Sequence, residues 1–195
     1  MNALAEKFER LERYTYADYL TWDEDIRCEL IRGVPQMMAA PSGTHQTILG
    51  NLHIDLGSFL RGKQCQVFVA PYDVRLNATT WDDIVVQPDI VVVCDRSKTS
   101  DSGCKGAPDL IIEVLSPSST KHDRITKMQL YKDAGVREYW IVDPKRRAIE
   151  VHVLESGERM NYFYGKANSI PVHVLDGFEI PMENIFDKVP NSGAW

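Results

Sequence analysis

Pro108-Asp109-Leu110-Ile111-Ile112-Glu113-Val114-Leu115-Ser116 is the segment on which the fold turns. Apart from one carboxylate it is apolar from Leu110 to Leu115, and so dense a run marks a strand buried on both faces of a sheet. Side chains alternate along a strand, so Leu110, Ile112 and Val114 share one face and Ile111, Glu113 and Leu115 the other. Glu113 therefore sits among residues that demand burial. An ionised carboxylate so placed is costly unless a cation, hydrogen-bond donors or a water-filled cleft compensates it. A metal ion would do that.

Upstream, Pro88-Asp89-Ile90-Val91-Val92-Val93-Cys94 predicts a second buried strand, with Asp89 on the face of Val91 and Val93. Antiparallel pairing of the two strands would bring Asp89 beside Glu113. Two like charges in one site repel, which favours a bound hard divalent cation such as Mg²⁺, with Mn²⁺ as a substitute. Taken alone, Asp89 reads as a strand-entry or turn residue rather than a ligand. Asp95 to Pro108, rich in Ser, Gly, Lys and Asp, is too long for a hairpin and predicts a mobile loop.

Downstream, Thr120 to Ala134 predicts a helix stopped by Gly135, and Glu138 to Val142 a strand closed by Asp143-Pro144, which completes a strand-helix-strand unit. Asp123, Lys127 and Tyr131 recur every four residues and share one face of that helix. Lys127 can face the strand ends, where an ammonium beside a phosphate would neutralise developing charge. The plainer alternative is a surface ion pair with Asp123. Lys121, His122 and Arg124 at the helix start, and His45 on an earlier helix, are further candidates for phosphate contact.

Around this unit, Ser42 caps a predicted helix with Ile48, Leu49, Leu52, Leu56, Phe59 and Leu60 on its apolar face. Cys28 to Arg32 and Gln36 to Ala39 flank Gly33-Val34-Pro35 as a hairpin, and Cys65 to Ala70 and Tyr72 to Leu76 predict further strands. Residues 1–24 predict a helical segment, with Thr15 and Asp18 spaced as a capping box. In the tail, residues 145–195, the segments Ala148 to Leu154, Arg159 to Tyr164 and Ile170 to Leu175 predict an antiparallel extension of the same sheet. The sum is one domain over residues 1–195, a mixed α+β (α/β) fold with a central mixed sheet flanked by helices. Met37 and Met38 read as core or dimer contacts.

The chain has 195 residues, 44% of them hydrophobic, and 22 bases against 28 acids give a net charge of −6. That composition excludes disorder, and the sign is wrong for a protein that lives on unspecific phosphate contacts. No apolar run approaches a membrane span, and the N-terminus lacks the continuous apolar core of a secretion signal, so a cytoplasmic setting without membrane partners is expected. Cys28, Cys65, Cys94 and Cys104 form no Cys-x-x-Cys pair, which argues against zinc and predicts reduced, packed thiols. No motif suggests a nucleotide cofactor.

Pro88-Asp89 followed by Glu113-Val114-Leu115 on the next strand resembles the PD-(D/E)XK nuclease superfamily. Leu115 stands where that motif has lysine, and Lys127 on the following helix can replace it. More closely, Glu29-Leu30-Ile31-x-Gly33, His45, Glu113 to Ser118, Lys127-x-x-x-Tyr131 and Glu138 to Pro144 resemble the Uma-two family of restriction-endonuclease-like proteins. The resemblance implies a restriction-endonuclease-like core with a site of Glu29, Asp89, Glu113 and Lys127. Asp89, Glu113 and the main-chain carbonyl of Val114 would hold Mg²⁺, and Glu29 would hold a second ion or orient water. It further implies metal-dependent hydrolysis of DNA phosphodiesters by a homodimer. A catalytically idle interaction module on the same fold is the competing class, motivated by Leu115. Asp109 is a rival acid four residues from Glu113 on the same strand.

Overall fold

A computed structural model describes residues 13–23, 26–116 and 122–190. Its main sheet is built on the two buried strands read from the sequence. β6 (Ile90–Val93) and β9 (Leu110–Val114) pair antiparallel, with Ile90 opposite Ile112, and β10 (Glu138–Asp143) lies parallel to β9 on its other side. A helical crossover, a π-type turn over His122–Lys127 running into α3 (Met128–Ala134), joins the two parallel strands, and Gly135 ends it at φ 87°. A parallel pair requires such a crossover. The sheet is completed by β3 (Gln66–Val69) beside β6, and by β11 (Ala148–Val153) and β12 (Glu158–Phe163) antiparallel beyond β10.

The alternation of β9 divides the interior in two. Leu110, Ile112 and Val114 join Ile90, Val92, Trp140 and Val142 beneath α2 (Gly43–Leu60), whose Ile48, Leu52 and Leu56 are wholly buried. Ser42 accepts a hydrogen bond from the His45 amide at 3.2 Å and so caps α2, as the sequence predicts. Ile111 and Leu115 face the opposite side, with Val91, Val93, Tyr139, Ile141, Leu130 and Tyr131.

That second side is closed by a second sheet, of which the sequence suggested the hairpin from Cys28 to Ala39 and the strand from Tyr72 to Leu76 but not the rest. It runs β2 (Val34–Met37), β1 (Cys28–Ile31), β5 (Val85–Val86), β4 (Val74–Arg75), β8 (Gly103–Lys105), β7 (Thr99–Ser100). The expected mobile loop from Asp95 to Pro108 is thus corrected: a short 3₁₀ turn and the β7–β8 hairpin occupy it, and β8 pairs parallel with β4. Gly103 is held at φ 131° with the Asp73 carbonyl oxygen standing where a Cβ would go, so no other residue fits there. The β1–β2 turn falls on Arg32-Gly33, both at positive φ, one residue earlier than Gly33-Val34-Pro35.

Two further expectations are revised. Ser169–Pro171 does not extend the main sheet; it pairs as β13 with β14 (Glu179–Pro181), ahead of the short α4 (Met182–Ile185). Cys65 and Cys94 form a disulfide rather than two thiols, because they flank β3 and β6 one step beyond the Gln66–Val93 pair and therefore face each other across the strands. Cys28 and Cys104 are buried free thiols, and burial pushes each up to about 11. Of the N-terminal helical segment, α1 (Tyr16–Tyr19) is described, with the Thr15 amide donating to Asp18 at 2.8 Å; Leu4, Phe8 and Leu11 lie outside the described residues. No helix among the described residues is long and apolar enough to cross a membrane.

Glu138 ties the tail to this core. Its carboxylate is fully buried and accepts from Trp140 Nε1 at 2.6 Å and from the Val174 amide at 2.9 Å. Removing it orphans both donors at once, so Glu138→Ala should lower stability by about 2–5 kcal/mol in urea unfolding; an unchanged midpoint would contradict this clamp.

Candidate active site

The register that sets Ile90 opposite Ile112 carries Asp89, one residue before β6, to the level of Glu113 on β9. Asp89 Oδ2 accepts the Val114 amide at 2.7 Å and meets His45 Nε2, from the first turn of α2, at 3.0 Å. Both interactions use the same oxygen. They fix the carboxylate plane and leave Oδ1 without a hydrogen bond among the described residues.

Glu113 is equally one-sided. Its Oε1 accepts from Lys127 Nζ and from the Tyr131 hydroxyl, each at 2.8 Å, whereas Oε2 takes no hydrogen bond among the described residues. Lys127 is the last residue of the π-type turn and only 5% exposed. Its ammonium also lies 2.9 Å from Glu29 Oε1 and 3.7 Å from Asp123 Oδ1. Asp123, Lys127 and Tyr131 are all buried toward the sheet, so their four-residue recurrence survives the π geometry, and the surface ion pair is excluded. π-type turns often stand at functional sites, where the widened ring re-aims a side chain.

Glu29 arrives from the second sheet. It sits on β1, 3% exposed, and its Oε1 also accepts the Gln87 amide at 3.0 Å, while His122 Nε2 stands 3.9 Å from Oε2. The Gln87 side chain in turn donates to Asp73 Oδ1 at 2.9 Å, and Asp73 Oδ2 accepts from the Tyr16 hydroxyl at 3.1 Å. Neither Gln87 nor Asp73 was legible as a site residue, since nothing in the sequence marks a glutamine beside Pro88 as the link between two sheets.

One cavity of about 340 Å³ receives Glu29, Asp89, Glu113, Val114, Lys127 and His45 in its lining. Arg124 does not line it, being paired with Glu150 and, at 3.7 Å, with Asp143; Lys121 lies outside the described residues. Asp109 stands at the far end of β9, accepting from the Cys94 amide at 2.7 Å and from Arg137 at 3.1 Å. Met37 and Met38 belong to neither core: Met37 is 56% exposed, and both line the cavity.

Charge in this cavity is unbalanced. Among the described residues, four carboxylates, those of Glu29, Asp89, Glu113 and Asp123, line the cavity with one ammonium, that of Lys127, and one guanidinium, that of Arg27; Glu29, Glu113 and Asp123 stand around the ammonium. Burial pushes the Glu113 carboxyl well above its usual range; Lys127 opposes this, and Asp123, Asp89 and Glu29 add to it. Burial alone would lower Lys127, yet Glu113, Glu29 and Asp123 hold it well above its usual value, so it stays charged. Burial and Glu113 likewise raise Tyr131, which remains a hydroxyl donor. The acids thus outnumber the bases, and the open oxygens are hard donors suited to Mg²⁺ or Mn²⁺. No three His, Cys, Asp or Glu side chains among the described residues close a ready-made metal cage. Two carboxylates completed by main chain and water are the arrangement that fits, and Mg²⁺ keeps several waters in such sites.

The family model Uma2, described as "Putative restriction endonuclease", matches residues 14–183. Among curated proteins the chain is similar to two from Synechocystis sp. "Uncharacterized protein sll1609" is 29% identical over 153 residues, covering 74% of this chain and 82% of the relative. "Uncharacterized protein slr1290" is 27% identical over 138 residues, covering 69% and 71%. Among solved structures, "a putative nuclease belonging to DUF820 from Anabaena variabilis" superposes with a TM-score of 0.75 at 20% identity, covering 91% of this chain and 99% of that one. The likeness shows the same fold.

Lys127→Met would leave Glu113 and Glu29 buried without their cation, a loss of about 3–5 kcal/mol at neutral pH. Glu113 is raised above its unfolded value, so its contribution to stability is fullest at low pH and is lost as pH rises through the folded value. The deficit of the variant should therefore shrink in acidic buffer and widen in alkaline buffer. Urea unfolding across that range checks this, and a pH-independent deficit would refute it.

Proposed function

The chain belongs to the Uma2 family, and on that premise we propose that it hydrolyses phosphodiester bonds of DNA with the help of Mg²⁺, or Mn²⁺ in its place. The observation that carries this reading is the pair of open carboxylate oxygens, Asp89 Oδ1 and Glu113 Oε2, at one wall of a cavity that is short of positive charge. Asp89, Glu113 and the Val114 carbonyl would hold the ion, which supplies a Lewis acid for the phosphate and acidifies a water molecule.

The chain's own groups do the rest. The Val114 amide and His45 lock Asp89, and Tyr131 and Lys127 lock Glu113, so neither ligand must reorganise during reaction. Lys127 opposes the burial that raises Glu113 and places a fixed positive charge where the phosphate gains negative charge. Glu29 Oε2 is the acceptor that orients the attacking water. An idle module was motivated by Leu115; an ammonium 2.8 Å from Glu113, supplied by Lys127, weighs against it.

We further propose that the active species is a cytoplasmic homodimer, motivated by the aromatic antiparallel tail with its exposed Phe163 and Tyr164; a dimer mass in light scattering checks this.

Purified protein should nick or cut plasmid DNA with Mg²⁺ or Mn²⁺ and not with chelator. Glu113→Gln and Lys127→Ala should each lower the rate by about a hundred-fold or more. Full cleavage by both folded variants would overturn the assignment. Calorimetric Mg²⁺ binding should weaken in Glu113→Gln, which tests the ligand role without any turnover.

A further inference from the structure

The cavity that holds the carboxylates is not lined by acids alone. Met37 at the end of β2, Met38 and Pro41 from the following loop and Leu49 from α2 give it an apolar lining as well. Met37 is 56% exposed, although an edge strand of this sheet could have buried it. Thioether and aliphatic surface of this kind suits the flat face of an aromatic ring, with sulfur as an adaptable partner.

Charge argues in the same direction. A protein that grips duplex DNA by its backbone neutralises several phosphates with Lys and Arg. Here the net charge is −6, and Lys127 is already matched by Glu113 and Glu29. Arg27, at the cavity rim, is exposed and has no carboxylate partner among the described residues. One free guanidinium can hold one phosphate. Affinity must then come from enclosing a base, and a base can reach an apolar wall inside a cavity only when it is out of the helical stack. A volume of about 340 Å³ is at the lower end of small-ligand pockets, too small for a stretch of duplex and suited to a nucleotide-sized group.

We propose that the cavity accepts a single unpaired nucleotide of a nucleic-acid strand. Its base lies against the Met37–Met38 wall, a flanking phosphate is held by Arg27, and the scissile phosphate points to Glu113 and Lys127. The substrate class is therefore a single strand, or a duplex with a flap or frayed end, rather than intact duplex. The chemistry at the scissile phosphate rests on the phosphodiesterase reading above; the binding preference does not.

Fluorescence anisotropy of Glu113→Gln, with Asp89→Asn as a second inactive variant, should be measured with Mg²⁺ on labelled single strand, flapped duplex and blunt duplex of one sequence. Single strand and flap should bind about ten-fold tighter than blunt duplex. Adding Met37→Ala and Met38→Ala should weaken single-strand binding about five-fold or more and leave blunt-duplex binding unchanged. Arg27→Gln should weaken all three. Blunt duplex binding as tightly as single strand, indifference to the methionine substitutions, no binding of any strand, or equal competition by a free mononucleotide would each overturn the inference. Metal-dependent cutting of duplex by wild type without a single-strand preference would sink this inference and leave the phosphodiesterase reading intact. A single-strand preference without cutting would do the reverse.

Discussion

An ammonium buried among carboxylates is the constraint that the rest of this structure serves. Lys127 and Glu113 meet at 2.8 Å, each about 5% exposed, and neither could be there alone. A lone buried Glu113 would surrender its charge and a lone Lys127 its proton. Their pairing, shared with Glu29 and supported by Tyr131, makes a charged centre tolerable between two hydrophobic layers. The surplus of acid over base is the feature that a purely structural ion pair would lack.

The scaffold places that centre through the central strands. β9 is apolar on one face from end to end, which anchors it on α2, and interrupted by one carboxylate on the other. β6 fixes Asp89 opposite Glu113 by register, and the parallel β10 demands the crossover from which Lys127 and Tyr131 descend. The second sheet closes the space with Glu29 and, through Gln87 and Asp73, couples its position to α1. A one-residue slip of β6 against β9 would turn Asp89 to the far side of the sheet and undo the site.

Much of this was legible before any coordinates, for identifiable reasons. Glu113 stood out because burial of both flanks was written in the residues beside it, and Lys127 because its spacing from Asp123 and Tyr131 fixed a shared helix face. The strand-helix-strand unit was marked by Gly135 and Asp143-Pro144. Of the second sheet only the first hairpin and the strand around Val74–Arg75 were legible, since Val85–Val86 and Thr99–Ser100 span two residues each, too few for any periodicity. The segment from Asp95 to Pro108 looked like a loop for the same reason. Met37 and Met38 looked like core because composition cannot tell an apolar residue that fills an interior from one that lines a cavity.

By itself, then, the sequence determined which residues are apolar and at what period, and so the central strands, the long capped helix and the acids and base that carry chemistry. Only the tertiary structure decided which oxygen of each carboxylate is tied down and which is open. It also decided that Glu29 joins from another sheet, that His45 holds Asp89, and that Cys65 faces Cys94. The physical reason is that periodicity is local, whereas hydrogen-bond partners, charge balance and cavity shape arise between segments far apart in the chain. Glu29 and Lys127 are separated by almost a hundred positions and still stand 2.9 Å apart.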